Sequence, residues 1–203
     1  MTEYVSVAAD DRAESRSGVI KLHGPDGFAG MRAAGLLAAT ILDALVPHVV
    51  PGVTTAELDD IVFRMTTEAG AVPATLGYRG FTKSCCTSIN HVVCHGIPGE
   101  KALKDGDIVN IDVTVIKDGF HGDTSRMFFA GEPSVLAKRL VDVTFESMMR
   151  GIEQVMPGAT LGDIGHAIQR FVEAERFSVV RGDALDQTTH RDRDDSKGCG
   201  CKH

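Results

Sequence analysis

The sequence predicts a mixed α/β fold in which helices cover an antiparallel sheet. Three observations predict it. Residues 105–130 read as one long β-hairpin, two segments before it carry apolar residues at helical spacing, and a helix-opening unit recurs further along the chain. The chain has 203 residues, long enough for one domain with a core or at most two small ones. Its 21 Lys+Arg against 28 Asp+Glu leave a charge of -7, which argues against nucleic-acid binding by bulk charge. No apolar run approaches the eighteen or so residues of a membrane helix. The N-terminus lacks a basic-then-apolar signal, so the sequence predicts a cytoplasmic protein. Five cysteines, an odd number, fit reduced thiols rather than a disulfide framework.

The ends differ from the middle. Residues 1–17 are small or polar without a sustained period and read as a loose arm. Residues 181–203 contain one large aliphatic side chain, Leu185, and bury too little to offset ordering entropy; disorder is expected there. The organised body is therefore about 19–180.

Within it, Pro25 or Asp26 opens a helix whose apolar stripe runs Met31, Ala34, Leu37, Ala38, Ile41 and Leu45, and Pro47 or Pro51 closes it. Thr54 with Glu57 then supplies a capping signature, the stripe Leu58, Ile61, Val62 and Met65 continues, and Gly70 ends the helix. Val50-Pro51-Gly52-Val53-Thr54 recurs as Met156-Pro157-Gly158-Ala159-Thr160, an offset of 106 that also superposes Leu58 on Ile164, Val62 on Ile168 and Met65 on Phe171. A cap, a turn and an apolar register together make an internal repeat. One mismatch is Gly70, which falls on Arg176. After the first copy comes strand-like sequence from Ala71 to Ala130; after the second only Phe177–Val180 reads as a strand.

The hairpin carries the clearest chemistry. Ile108–Ile116 is rich in β-branched residues, Lys117-Asp118-Gly119 is a turn, and Phe120–Phe129 returns. Asp112 and Asp123 lie in the strands, where Asp is disfavoured. A two-residue loop at 117–118 pairs them directly, and one at 118–119 makes them diagonal neighbours. Either way they share a face, about 5–8 Å apart. Two such carboxylates share a proton, take cationic partners or bind metal, unless they are simply a solvent-facing pair. Thr114 and Thr124 can supply supporting hydroxyls, and Gly122 gives room beside Asp123.

In SINHVVCHGIP, His91 and His95 sit four apart in what reads as strand then turn, and His95, beside Gly96 at the strand end, is the better placed for function. Cys85 and Cys86 point to opposite faces of a strand. Cys199, Cys201 and His203 lack the fixed frame of a zinc site, and Asp192–Asp195 reads as a solvated charge run.

The stretches VVCHGIP and DGDIVNIDVTVIKDGFHGDTSRMF resemble the type I methionine aminopeptidases, a likeness that covers about residues 20–181. The resemblance implies a pita-bread fold of two pseudo-symmetric halves, with residues 19–180 as an incomplete catalytic domain between a disordered arm (1–18) and a disordered divergent tail (181–203). It implies removal of the initiator methionine by a hydrolase with two divalent ions, cobalt, manganese, iron or zinc. Asp112 and Asp123 match the family's first two metal ligands, and His95 a histidine that contacts substrate and stabilises the tetrahedral intermediate. Tyr78, Phe81 and Cys86 match the lining of its methionine pocket. Thr75 stands where relatives often have Cys, and Arg79 where they often have His. The implied partners are nascent polypeptide N-termini close to the ribosome, with neither nucleic acid nor membrane bound directly.

After Arg181 the family's Gly-His-Gly-Ile-Gly stretch, its metal-ligand histidine and its two glutamates are not found, and the chain resembles the product of a truncated or frame-shifted gene. His190 and Asp194-Asp195 do not replace them. The expectation is therefore weak or partial metal binding and little or no hydrolysis. The alternative is a non-catalytic fragment or pseudoenzyme that binds a nascent chain, the ribosome or a partner protein.

Overall fold

The computed structural model describes Tyr4–Val7 and residues 20–180. The tail 181–203, with Cys199, Cys201, His203 and the charge run, lies outside the described residues, as does most of the arm. Within that arm Tyr4–Val7 forms a strand, β1, parallel to Ile20–His23, β2. The chain divides into two compact units between Ala137 and Lys138.

In the first unit, helix α1 (Pro25–Leu45) begins with Pro25, whose missing N–H costs nothing at a helix start. A 3-10 turn, Val46–His48, closes it at Pro47. Together Pro25–His48 are long and apolar enough to cross a membrane by length and composition, which corrects the sequence reading that no run approaches that length. The inner face of α1 (Ala34, Ala38, Ile41, Leu42 and Leu45) is buried in the core of this unit. Helix α2 (Thr55–Glu68) follows, with a complete capping box: Thr54 Oγ1 accepts from Glu57 N and Thr54 N donates to the Glu57 carboxylate.

The sheet is antiparallel, with β5 (Asp107–Lys117) at its centre. One edge of β5 pairs with β3 (Val72–Pro73) and β4 (Cys86–Ile89), the other with β6 (Phe120–Ala130). Strand-like sequence between Ala71 and Ala130 thus yields four strands separated by irregular segments at 74–85 and 90–106. Period-two alternation sorts β5: Val109, Ile111, Val113 and Val115 are fully buried with α1 and α2, while Asn110, Asp112, Thr114 and Ile116 face away. Gly122 on β6 has to be glycine, because any Cβ would run into the Ala34 backbone of α1. It therefore lets helix meet sheet rather than making room beside Asp123.

The second unit holds α3 (Val135–Ile152), which begins just before the division and which sequence reading passed over, and α4 (Leu161–Ala174). Thr160 and Asp163 build the same capping box as Thr54 and Glu57. Gly70 (φ 67) and its mismatched counterpart Arg176 (φ 63) adopt the same left-handed conformation, so the repeat holds even there. Phe177–Val180, expected as a strand, is irregular. A strand needs a ladder partner, and none pairs with it among the described residues.

Candidate metal and substrate site

The sheet face turned away from α1 carries the candidate site. Its geometry starts at the hairpin turn. Asp118 (φ 49) and Gly119 (φ 81) both take positive φ, as a two-residue type I′ turn requires. The loop is therefore 118–119, which pairs Asp112 with Ser125 and Thr114 with Asp123. Asp112 and Asp123 are diagonal neighbours on one face, the second of the two registers open to the sequence. Thr114 Oγ1 donates to Asp123 Oδ1 at 2.9 Å. Thr124 pairs with Val113 and so faces the core; it cannot serve the carboxylates as expected.

Cys86 lies directly opposite Asp112 on the same face, while Cys85 joins the core, so the two thiols do part to opposite sides. Burial, then the negative charge of Asp112, pushes the Cys86 thiol up to about 12. The Asp112 carboxyl is raised above the usual range, first by burial, then by the charge of Asp123, with a hydrogen bond between the two carboxyl groups adding to it. His95 acts in the opposite direction, its charge favouring ionised Asp112.

His95 reaches this face by a backbone device. Strand β4 stops at Ile89, and Asn90 (φ 51) turns the chain while its side chain accepts from Ile108 N and donates to Asp107. His91 is therefore exposed in a turn, not on a strand shared with His95. The chain then folds back, and Gly96 O accepts from Thr87 N at 2.8 Å. A Cβ at Gly96 would collide with the Thr87 carbonyl. His95 itself holds φ 56, a costly conformation for a side-chain-bearing residue.

Tyr78 and Phe81 sit on the segment 74–85, which bends through a 3-10 turn at Tyr78–Gly80. Tyr78 is exposed and Phe81 half-buried. Arg79 (φ 49) lies over the Tyr78 ring. Thr75 Oγ1 donates to Lys83 O, closing the loop at its base. Sequence reading passed over Asp59, a carboxylate only 4% exposed that accepts from the backbone of Ser84 and Cys85. Its position between Thr55, Leu58, Val62 and Thr66 on the buried stripe of α2 was the available signal.

Two carboxylates on one face, one of them raised by burial and then by the other's charge, offer the oxygen donors that hard divalent ions take. They form an open site: among the described residues no group of three or more His, Cys, Asp or Glu is arranged to hold a metal. The donor chemistry fits a divalent ion, and the donor count does not close a coordination sphere.

The sequence profile of metallopeptidase family M24 matches residues 29–200. The chain belongs to metallopeptidase family M24. This M24 chain is 59% identical over 162 residues to the methionine aminopeptidase of Rickettsia prowazekii, covering 80% of itself and 62% of that protein. It is 57% identical over 164 residues to the methionine aminopeptidase of Escherichia coli K12, with the same coverage. The crystal structure of the Rickettsia prowazekii methionine aminopeptidase superposes with a TM-score of 0.80 at 58% identity, covering 81% of this chain and 66% of that one. The M24 chain thus has the pita-bread fold, and it spans about 62% of the length of the curated relatives it matches.

Proposed function

We propose that this face is the first-half site of a methionine aminopeptidase, acting in the cytoplasm on the N-termini of nascent polypeptides. Asp112 and Asp123 would hold divalent metal, drawn from cobalt, manganese, iron or zinc. The observation that carries this reading is their shared face, with Asp112 raised by burial and by Asp123. Identity of 57–59% to methionine aminopeptidases supports it.

The chain's own residues divide the work. Asp112 and Asp123 orient through the β5–β6 ladder, with Thr114 fixing the rotamer of Asp123. A bound divalent ion would supply Lewis-acid polarisation of the scissile carbonyl. His95, locked by its loop, would donate a hydrogen bond to the oxygen that gains charge in the transition state. Tyr78, Phe81 and Cys86 would receive the methionine side chain, Cys86 as a neutral, polarisable thiol.

A second reading is favoured by the small donor count among the described residues: a non-catalytic protein that binds a nascent chain, the ribosome or a partner protein. We infer that residues 1–203 alone bind metal weakly and hydrolyse little. Release of methionine from a Met-Ala-Ser peptide with added cobalt or manganese tests both readings. Turnover equal to that of a relative would contradict the inferred weakness. Loss of metal binding in D112N and D123N is expected if the site assignment holds.

A further inference from the structure

Asp59 is a buried carboxylate on α2, remote in sequence from every residue of the candidate site, and it is held by three hydrogen-bond donors and one lysine. Its Oδ1 accepts from Ser84 N at 2.7 Å, from Cys85 N at 3.1 Å and from Cys85 Sγ at 3.6 Å. Its Oδ2 lies 3.5 Å from Lys83 Nζ. A buried charge persists only when paired and hydrogen-bonded, and breaking such a set strands the partners.

The three residues it grips are the exit limb of the segment that carries Tyr78 and Phe81. The entry limb is tied independently: Ala74 N donates to Thr114 O on β5 at 2.8 Å. Thr75 Oγ1 reaches Lys83 O at 2.9 Å and joins the limbs. Gly77 N to Phe81 O, at 2.7 Å, and Phe81 N to Tyr78 O, at 2.9 Å, shape the tip. The residue after this grip is Cys86, which starts β4 opposite Asp112. One carboxylate therefore sets both the loop's exit and the point where the strand begins.

We propose that Asp59 is a positioning residue for the methionine side-chain pocket, acting through the Lys83–Cys85 backbone on Phe81, Tyr78 and Cys86. This rests on the aminopeptidase reading of that pocket. The grip rests on one side-chain oxygen that accepts both backbone N–H groups; Asn keeps that oxygen and gives up only the ion pair with Lys83. The metal pair is fixed separately by the β5–β6 ladder, so pocket and metal affinity should separate on substitution.

The test uses the full chain with three readouts: manganese affinity by free-ion EPR, L-methionine affinity by NMR, and labelling of Cys86 by iodoacetamide mapped by mass spectrometry. D59A is expected to lower L-methionine affinity at least tenfold and speed Cys86 labelling at least tenfold, with manganese affinity within twofold of the parent. D59N should recover most of the methionine affinity. L58A, on the same face of the same helix, controls for destabilisation and should change none of the three readouts in the folded fraction. Equal effects in L58A and D59A, or parental behaviour of D59A in Cys86 labelling, would overturn the proposal. Should the parent bind no L-methionine, the pocket reading fails; Cys86 labelling then decides alone whether Asp59 positions this segment.

Discussion

Helices α1–α2 and helices α3–α4 follow one plan 106 positions apart and differ in what lies over them. Both second helices open on Pro-Gly with the glycine at φ 94 or 92, and both close a Thr-acid capping box. Both end through the same three hydrogen bonds, Ala69 to Met65, Gly70 to Thr67 and Ala71 to Thr66 in one, Glu175 to Phe171, Arg176 to Glu173 and Phe177 to Val172 in the other. In the first unit Leu58 and Val62 are fully buried in a core shared with Val109, Ile111, Val113 and Val115 of β5. Their counterparts Ile164 and Ile168 stay half-buried, and Ile168 lines an apolar groove of about 170 Å³ with Leu140, Val143, Val172 and Phe177. The comparison teaches that local signals alone build a helix pair, whereas the sheet is what turns its apolar face into a core and supplies the carboxylates.

The largest expected effect tests that difference in burial. Leu58→Ala should cost about 3 kcal/mol in urea unfolding, and Ile164→Ala about 1 kcal/mol or less. Equal losses would mean that the second unit is as well packed as the first. Next come the features the units share. Thr54→Ala and Thr160→Ala should each cost about 1 kcal/mol, read as faster amide exchange confined to α2 or α4. Unequal losses would break the equivalence of the two caps. Smaller still, Arg176→Gly should stabilise α4 by about 0.5 kcal/mol by relieving the left-handed strain that Gly70 avoids.

The smallest effect belongs to the sheeted half alone. The folded chain holds the Asp112 proton more tightly than the unfolded chain does. Stability from this group is therefore greatest below the unfolded carboxylate value and falls as pH rises through the raised folded one. Asp112→Asn should remove that part of the slope and raise the neutral-pH melting temperature of the metal-free chain by roughly 1 °C.

Local chemistry explains what the sequence made legible. The capping boxes, the hairpin and the shared face of Asp112 and Asp123 depend on residues within a few positions or across one turn. The Asp118-Gly119 pair could have settled the register, since Lys117 is ill suited to the left-handed pair a type I′ turn needs. What escaped depended on distant partners. Strand β4 ends at Ile89 because Asn90 bonds to Asp107 and Ile108. Thr124 and Gly122, by contrast, face α1 in either register, because the neighbours of Asp123 along one strand point to its opposite face. Phe177–Val180 has strand-like letters and no ladder among the described residues. Helix α3 was detectable as the image of α1 under the repeat, with Leu136, Leu140 and Val143 at helical spacing.

The most direct test is a manganese titration of the full chain beside D112N, D123N and D163N. Asp163 is the capping acid of α4, in the unit that has no strand among the described residues. Manganese should bind the parent and D163N alike, and D112N and D123N should each weaken it at least tenfold. Unchanged binding in D112N and D123N, or a loss in D163N, would contradict a cation site on the open face of the hairpin.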